Sequence, residues 1–150
     1  MKLCKRIVPV LLVILMLSTT AFAAGSINLS QDVKLTISYQ DDAMPLAGAE
    51  FSIYLVASVD GNGELTTEDT FKQFNVNIRG KNDAAWKVLA TTLEGYVLRD
   101  NIAPTDSGKT GTNGYLSFPT GTARLTPGLY LVLGSRHTQG GFRYDAMPFM

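Results

Sequence analysis

The chain has 150 residues, of which 13 are basic and 13 acidic, so its formal net charge is zero at pH 7. Three of the basic residues fall in an N-terminal segment that we expect to be removed, which leaves ten basic against thirteen acidic residues and a net charge of −3. The remaining basic residues form no cluster. Nucleic acid and anionic membrane surfaces are therefore not expected partners.

The first 23 residues follow the three-part plan of a secretory signal. A short basic region, "MKLCKR", precedes the apolar run "IVPVLLVILML" at residues 7–17, and "AFA" at residues 21–23 suits signal peptidase. The run is shorter than the roughly 20 residues of a membrane-spanning helix, which disfavours a membrane anchor or a buried helix. We predict cleavage after Ala23, export, and no membrane insertion afterwards. The only cysteine, Cys4, leaves with the signal, so the mature chain (residues 24–150) should contain no disulfide.

Two strands are predicted at the start of the mature chain. In "VKLTISY" (residues 33–39), apolar and polar side chains alternate, as on a half-buried strand. The stretch "QDDAMP" is a turn, "AEFSIYLVASV" (residues 49–59) is the second strand, and "DGNGE" (residues 60–64) has turn chemistry.

Helical patterns come next. A short helix is predicted in "TTEDTFKQF", with Thr66 as its cap. The clearest helix covers residues 82–101, where apolar side chains recur at helical spacing and Asn82 or Asp83 is the cap. The rest is strand and turn: strands are predicted at residues 114–119, 123–125, 128–134 and from 142 to the C-terminus, with "TQGG" as a turn.

This layout is two strands, a helical insertion of about forty residues (about 66–101), and then strands again. Helix and strand do not alternate, so the pattern favours an all-β sandwich with a helical insertion over an α/β sheet. The length of the mature chain suits one domain.

The stretch "SGKTGTNGYLSF" (residues 107–118) contains the Gly-Lys-Thr of a phosphate-binding loop. Such a loop also needs a glycine five residues before Gly108, where this chain has Ala103, and a helix after it, where this chain continues into a predicted strand. We therefore interpret the stretch as a loop with left-handed geometry at Asn113-Gly114. Lys109 is then a solvated loop residue.

Metal and catalytic patterns are similarly incomplete. "DGNGELTTE" resembles a calcium loop, but its sixth and twelfth positions hold Leu65 and Phe71 instead of glycine and glutamate, so a solvated turn is predicted. His137, the only histidine, is expected in an exposed loop, and no G-x-S-x-G elbow presents a nucleophile. An enzyme would need His137 beside a hydroxyl and a carboxylate in one cleft. The acidic pairs at residues 41–42 and 68–69 fit turns or a helix start, so we expect no catalysis, cofactor or metal.

Three stretches together resemble a known family. "MPLAGAEFSIYLV" (residues 44–56) is similar to the "pLaGAeFsLY" opening of collagen-adhesin B-type (Cna B, prealbumin-like) domains. "TGTNGYLSFPTG" and "LTPGLYLVLG" resemble the later glycine-turn-strand stretch of the same domains, in the same order and spacing. "FRYDAMPFM" resembles the strand that closes the N-terminal domain of SpaA-like pilin and surface proteins of Gram-positive bacteria. The resemblance covers residues 27–150.

The resemblance implies an immunoglobulin-like sandwich on the cell wall, as a pilus subunit or adhesin. Domains of this family often contain an intramolecular Lys–Asn or Lys–Asp isopeptide bond. The family's first-strand lysine falls at Ser38, or at Ile37 or Tyr39 with a one-residue shift, and Lys34 should point to solvent. The family's acid falls at Gly134 or Ser135. We therefore predict no internal isopeptide bond.

We expect a secreted structural or adhesive module of a Gram-positive cell surface or pilus. Its partners would be other surface or pilus subunits, or host and extracellular-matrix proteins or glycans. The chain ends inside a predicted strand, without a pilin lysine motif or LPXTG signal, so we expect a C-terminally truncated domain. The alternative is a soluble secreted module that binds carbohydrate or protein through the helical insertion. The positions of Trp86 and Tyr96 discriminate between these two functions. If both side chains face solvent side by side, binding is favoured, and if they pack on the sheet, they are core residues.

Overall fold

The computed structural model describes residues 26–150, and the predicted signal segment lies outside the described residues. These residues form a small, mainly β domain with two helices. The strands are β1 (Leu35–Ser38), β2 (Gln40–Asp41), β3 (Met44–Pro45), β4 (Glu50–Val59), β5 (Leu65–Thr67), β6 (Asp106–Lys109), β7 (Tyr115–Phe118), β8 (Gly128–Gly134), β9 (His137–Gln139) and β10 (Phe142–Tyr144). The helices are α1 (Asp69–Lys72) and α2 (Asp83–Asp100).

Strand β4 is the centre of the largest sheet. It pairs antiparallel with β8 along one edge, and with β6 and then β5 along the other. Its sequence "EFSIYLVASV" carries apolar side chains on both faces, such as Phe51 and Ile53 on one and Tyr54 and Val56 on the other. A strand that is apolar on both faces is expected in the middle of a layered structure, and β4 lies there.

One core lies between this sheet and the antiparallel pair β1–β7. The predicted alternation of β1 is confirmed, since Leu35 and Ile37 face this core and Thr36 is exposed. The first core consists of Ile37, Ala49, Phe51, Ile53, Leu116, Phe118, Leu125, Tyr130 and Val132.

A second core covers the opposite face of the sheet, where α1 and α2 pack. The helix α2 buries Leu89, Ala90, Leu93 and Val97. Its start confirms Asn82 as the cap, because the Asn82 side chain accepts the Ala85 N–H at 2.9 Å. The second core consists of Tyr54, Val56, Ala57, Phe71, Ile78, Leu89, Ala90, Leu93, Val97 and Leu131.

Two strands that the sequence did not predict flank β4. In β6, the sequence Asp-Ser-Gly-Lys has low strand propensity, and pairing with β4 overrides that preference. The glycine is closely packed there: a β-carbon at Gly108 would lie 2.8 Å from Cγ2 of Thr120 and 2.9 Å from Cδ1 of Leu116, so a larger residue would require these side chains to shift. In β5, Thr66 is a strand residue, so its prediction as a helix cap was wrong. The residue at the cap position of α1 is Glu68, whose side chain makes no capping bond.

Two C-terminal predictions were wrong in part. The stretch "ARL" (residues 123–125) is not a strand, although Leu125 reaches the first core. The last strand ends at Tyr144, after a turn at Gly140 and Gly141, where φ is positive. The ladder ends there because β9, the partner strand, begins at His137 opposite Tyr144. Beyond it, the Asp145 carboxylate accepts hydrogen bonds from Arg136 and Arg143. Phe149 then forms an isolated antiparallel bridge with Val132 of β8.

Candidate functional site

The Gly-Lys-Thr stretch is a structural clamp. The Thr110 hydroxyl donates to the Leu46 carbonyl at 2.6 Å and accepts the Ala49 N–H at 2.9 Å. The Thr110 backbone also exchanges hydrogen bonds with Gly48 and Ala49. The Thr110 side chain is thus fully used in holding the loop that leads into β4.

The same loop is held from its other side by Gln139 on β9. The Gln139 amide donates to the Pro45 carbonyl at 2.9 Å and accepts the Ala47 N–H at 3.0 Å. Lys109, next to the clamp, is exposed as predicted, but it belongs to β6 instead of a loop, with Nζ 3.9 Å from the Glu50 carboxylate. Its pairing with Glu50 in the β4–β6 ladder explains the difference.

In the turn before β7 and the turn after β4, side chains accept hydrogen bonds from backbone N–H groups of the same turn. Gly114 has φ of +76°, as predicted, but Asn113 does not have positive φ, so that half of the prediction was wrong. The Asn113 side chain instead accepts the Tyr115 N–H at 3.1 Å. In the turn after β4, the Asp60 carboxylate accepts the Glu64 N–H at 2.9 Å and the Asn62 N–H at 2.8 Å, and these bonds lower the pKa of Asp60. Asp60 is exposed, so the turn is solvated. Among residues 26–150, no group of three or more His, Cys, Asp or Glu side chains is placed to hold a metal ion.

His137 is not the exposed loop residue that the sequence predicted. It lies in β9 and is half-buried, because the β9–β10 hairpin pairs it with Tyr144. Its Nε2 is 3.3 Å from Oε1 of Gln139, and its ring centroid is 6.5 Å from that of Tyr144. The hydrogen-bond partner of His137 is thus the side-chain amide of Gln139, which also holds the loop before β4. These contacts stabilise the fold.

The positions that correspond to the family's isopeptide lysine and acid are either exposed or tightly packed. Ser38 and Lys34 are exposed, and Ile37 faces the first core. At Gly134, a β-carbon would lie 2.7 Å from the ring of Phe51 and 2.6 Å from the β-carbon of Ala146, so an acidic side chain does not fit without rearrangement.

Trp86 and Tyr96 do not form one exposed platform. Both are half-buried and pack against the second core. Ten residues of helix separate them, which is about 15 Å along the axis. Tyr96 stacks on Phe74 with ring centroids 4.2 Å apart, and the Arg99 guanidinium lies 5.1 Å from the Tyr96 ring centroid. The Tyr96 ring therefore already has partners.

Trp86 instead lines a surface groove of about 350 Å³, which we call the Trp86 groove. The other walls come from the end of the turn after β4 and from the loop before α2. An ion pair stands in the groove, with Nη2 of Arg79 2.8 Å from Oε2 of Glu64. The sequence did not predict this site, because Glu64 and Arg79 look like ordinary solvated residues of two separate segments. The groove is lined by Gly63, Glu64, Leu65, Ile78, Arg79, Gly80 and Trp86.

No family model matches the chain, and no curated protein matches it either. Within the part of the chain that the structure describes, no helix is long and apolar enough to cross a membrane. The fold and its surface therefore define the class only as far as a small, mainly β domain with a helical layer, a clamped loop and one groove walled by a tryptophan and an ion pair.

Proposed function

We propose that the chain is a secreted structural or adhesive module of a Gram-positive cell surface or pilus protein, with no catalysis of its own. Its fold would be an immunoglobulin-like (prealbumin-like, Cna B-type) β-sandwich with a helical insertion. In this proposal, its partners are other surface or pilus subunits, or a host or extracellular-matrix protein or glycan.

The observation that carries the proposal is the way the three resembling stretches assemble. The first supplies β3 and β4, the second β7 and β8, and the third β10 and Phe149. In space, β4 pairs with β8, and β8 forms a bridge with Phe149. Strand β7 lies on the other side of the first core from β4 and β8. Stretches far apart in sequence thus form one packed unit, as expected if they are parts of one family pattern.

The packing also suits a load-bearing module. Two β layers facing each other over an apolar core are the basic arrangement of a sandwich. On the outer side, the helices cover the second face of the sheet, so β4 and β8 are buried from both sides. Such a module needs a rigid core more than a deep cavity.

Export and surface location are tested by expression of the full chain in a Gram-positive host. We expect the protein in the medium and wall fractions, with an N-terminus that begins at Ala24. A Leu12→Arg variant, which interrupts the apolar run, should stay in the cell with its signal uncleaved. Retention of the unaltered chain in the cytoplasm, still beginning at Met1, would refute the proposal.

Adhesion is tested separately with purified residues 24–150. Immobilised collagen, fibrinogen and fibronectin serve as candidate matrix partners, and sedimentation measures self-association. Saturable binding to one of them, or concentration-dependent assembly, supports the adhesive or structural role. If the exported module neither binds these proteins nor self-associates, the adhesive form of the proposal fails while export stands.

A further inference from the structure

We propose that the Trp86 groove is a binding site for a neutral saccharide, with one sugar ring packed on the Trp86 indole and its neighbouring hydroxyls bonded to Arg79 and Glu64. The proposal does not depend on the cell-surface role, because it rests only on the groove. It gives a location and a ligand class to the idea that the helical insertion binds carbohydrate.

The groove has the size and floor of a small ligand site. Its volume of about 350 Å³ lies at the lower end of the usual range for ligand pockets. Ile78, 6% exposed, and the half-buried Leu65 form apolar walls beside Trp86. Because these side chains belong to or pack against the second core, the surface that faces a ligand is rigid.

Trp86 is suited to a sugar because it is only half-buried. One part of its side chain packs against the second core, while another part lines the groove. An indole face offers a broad, electron-rich apolar surface, and the C–H groups on one side of a sugar ring pack well on such a surface. Tyr96, the other large aromatic residue of α2, is already stacked on Phe74, with the Arg99 guanidinium near both rings, and is not equivalent.

The polar groups beside the indole match the hydroxyls of a sugar. A guanidinium supplies only donors and a carboxylate only acceptors, whereas each hydroxyl of a vicinal diol both donates and accepts. The Arg79 and Glu64 side chains are 66% and 63% exposed, so their ion pair contributes little to stability and can share its bonds with a ligand. Their charges cancel, which favours a neutral ligand over an anionic one.

Arg79 is also held in position before any ligand binds. Its backbone N–H donates to the Asn77 side chain at 2.8 Å, and its guanidinium Nη2 donates to the Leu65 carbonyl at 3.4 Å. On either side of the groove, Gly63 and Gly80 have φ of +85° and +62°, a conformation that disfavours side chains and so keeps the groove open. A preorganised donor set reduces the entropy lost on binding.

The chain contains a single tryptophan, so its fluorescence reports directly on this groove. Residues 24–150 would be titrated with maltose, lactose, cellobiose and di-N-acetylchitobiose. We expect a saturable change in Trp86 emission with at least one of them, with a Kd of about 0.1–10 mM. Arg79→Ala and Glu64→Ala should each weaken binding at least about tenfold, because each removes charge-assisted hydrogen bonds. The matched control is Arg124→Ala, which removes a similarly exposed arginine paired with Asp32 and should leave binding unchanged.

Several results would overturn the proposal. One is the absence of a saturable response to all four sugars up to about 50 mM, which would leave no affinity of biological interest. Others are full binding in both groove variants, or a stronger response to heparin than to any neutral sugar. Saturation-transfer NMR on Trp86→Phe provides a readout that does not depend on fluorescence, and weakened sugar contact is expected there. Thermal melts of every variant verify that it is folded.

Discussion

Replacement of Thr110 by valine tests whether the Gly-Lys-Thr stretch is a clamp. Valine keeps the size and branching of threonine but has no hydroxyl. The substitution leaves the Leu46 carbonyl without its 2.6 Å donor and the Ala49 N–H without its 2.9 Å acceptor. Thr110 is 4% exposed, and Leu46 and Ala49 are each 1% exposed, so water does not readily replace the lost partner.

The expected size of the effect follows from these two groups. A buried polar group that loses its partner costs about 1–3 kcal/mol, so the loss at both groups in Thr110→Val should lower the free energy of unfolding by about 2–6 kcal/mol. The valine side chain fills the same space, and no cavity contributes. Thr110→Ser is the complementary control: it keeps the hydroxyl and loses only a methyl group, which should cost about 1 kcal/mol.

The assay is urea unfolding of residues 24–150, followed by circular dichroism and by Trp86 fluorescence. In a thermal melt, Thr110→Val should lower Tm by about 6–24 °C, and Thr110→Ser by much less. The reasoning is refuted if Thr110→Val unfolds within about 0.5 kcal/mol of the unaltered chain, the usual spread for neutral surface changes. It is also refuted if the serine variant is as unstable as the valine variant, because the methyl group would then be the important part.

Three further predictions concern other parts of the fold. The Asp60 carboxylate has a pKa below its ordinary 3.8, because the backbone amides of Glu64 and Asn62 donate to it. Ionised Asp60 therefore stabilises the fold above that value, and this contribution is lost as pH falls through the lowered pKa. Melts against pH should therefore show a Tm gap between the unaltered chain and Asp60→Asn at pH 6 that closes in acid; a constant gap would contradict this. The Asp106 carboxylate accepts the Thr120 N–H at 2.7 Å and the Thr120 hydroxyl at 2.6 Å. Asp106→Ala should therefore lower the free energy of unfolding in urea by about 1–3 kcal/mol, and an unchanged value would contradict a stabilising role for these bonds. Finally, intact-mass spectrometry of residues 24–150 should give the full sequence mass, since a mass lower by about 17 or 18 Da would reveal an isopeptide bond.

The elements that the sequence predicted well are those whose own side chains carry the signal. In α2, apolar residues at helical spacing and the Asn82 cap located the helix to within one residue at each end. The strand β8 matched the predicted residues 128–134, because "GLYLVLG" is bounded by glycines and is apolar throughout. For both segments, local pattern and tertiary environment agree.

The elements that the sequence missed depend on partners elsewhere in the chain. Nothing in Asp-Ser-Gly-Lys favours a strand, and only the neighbouring β4 makes β6 one. The Trp86 groove was missed for a similar reason, since Glu64 and Arg79 meet only because β5 and the loop before α2 come together. The sequence left Trp86 open between an exposed binding residue and a core residue, and the structure shows that it is partly core and partly groove wall.

The helical insertion is part of the fold and not an appendage. Its helices cover Tyr54 and Val56 of β4 and Leu131 of β8, which would otherwise expose one face of the central sheet. The Trp86 groove is therefore built on residues whose other side stabilises the domain, so a ligand held there would be linked to the stability of the whole fold. The same reasoning explains the Gly-Lys-Thr stretch: the close packing of Gly108 and the hydroxyl of Thr110 fix the edge of that sheet and the loop that enters β4.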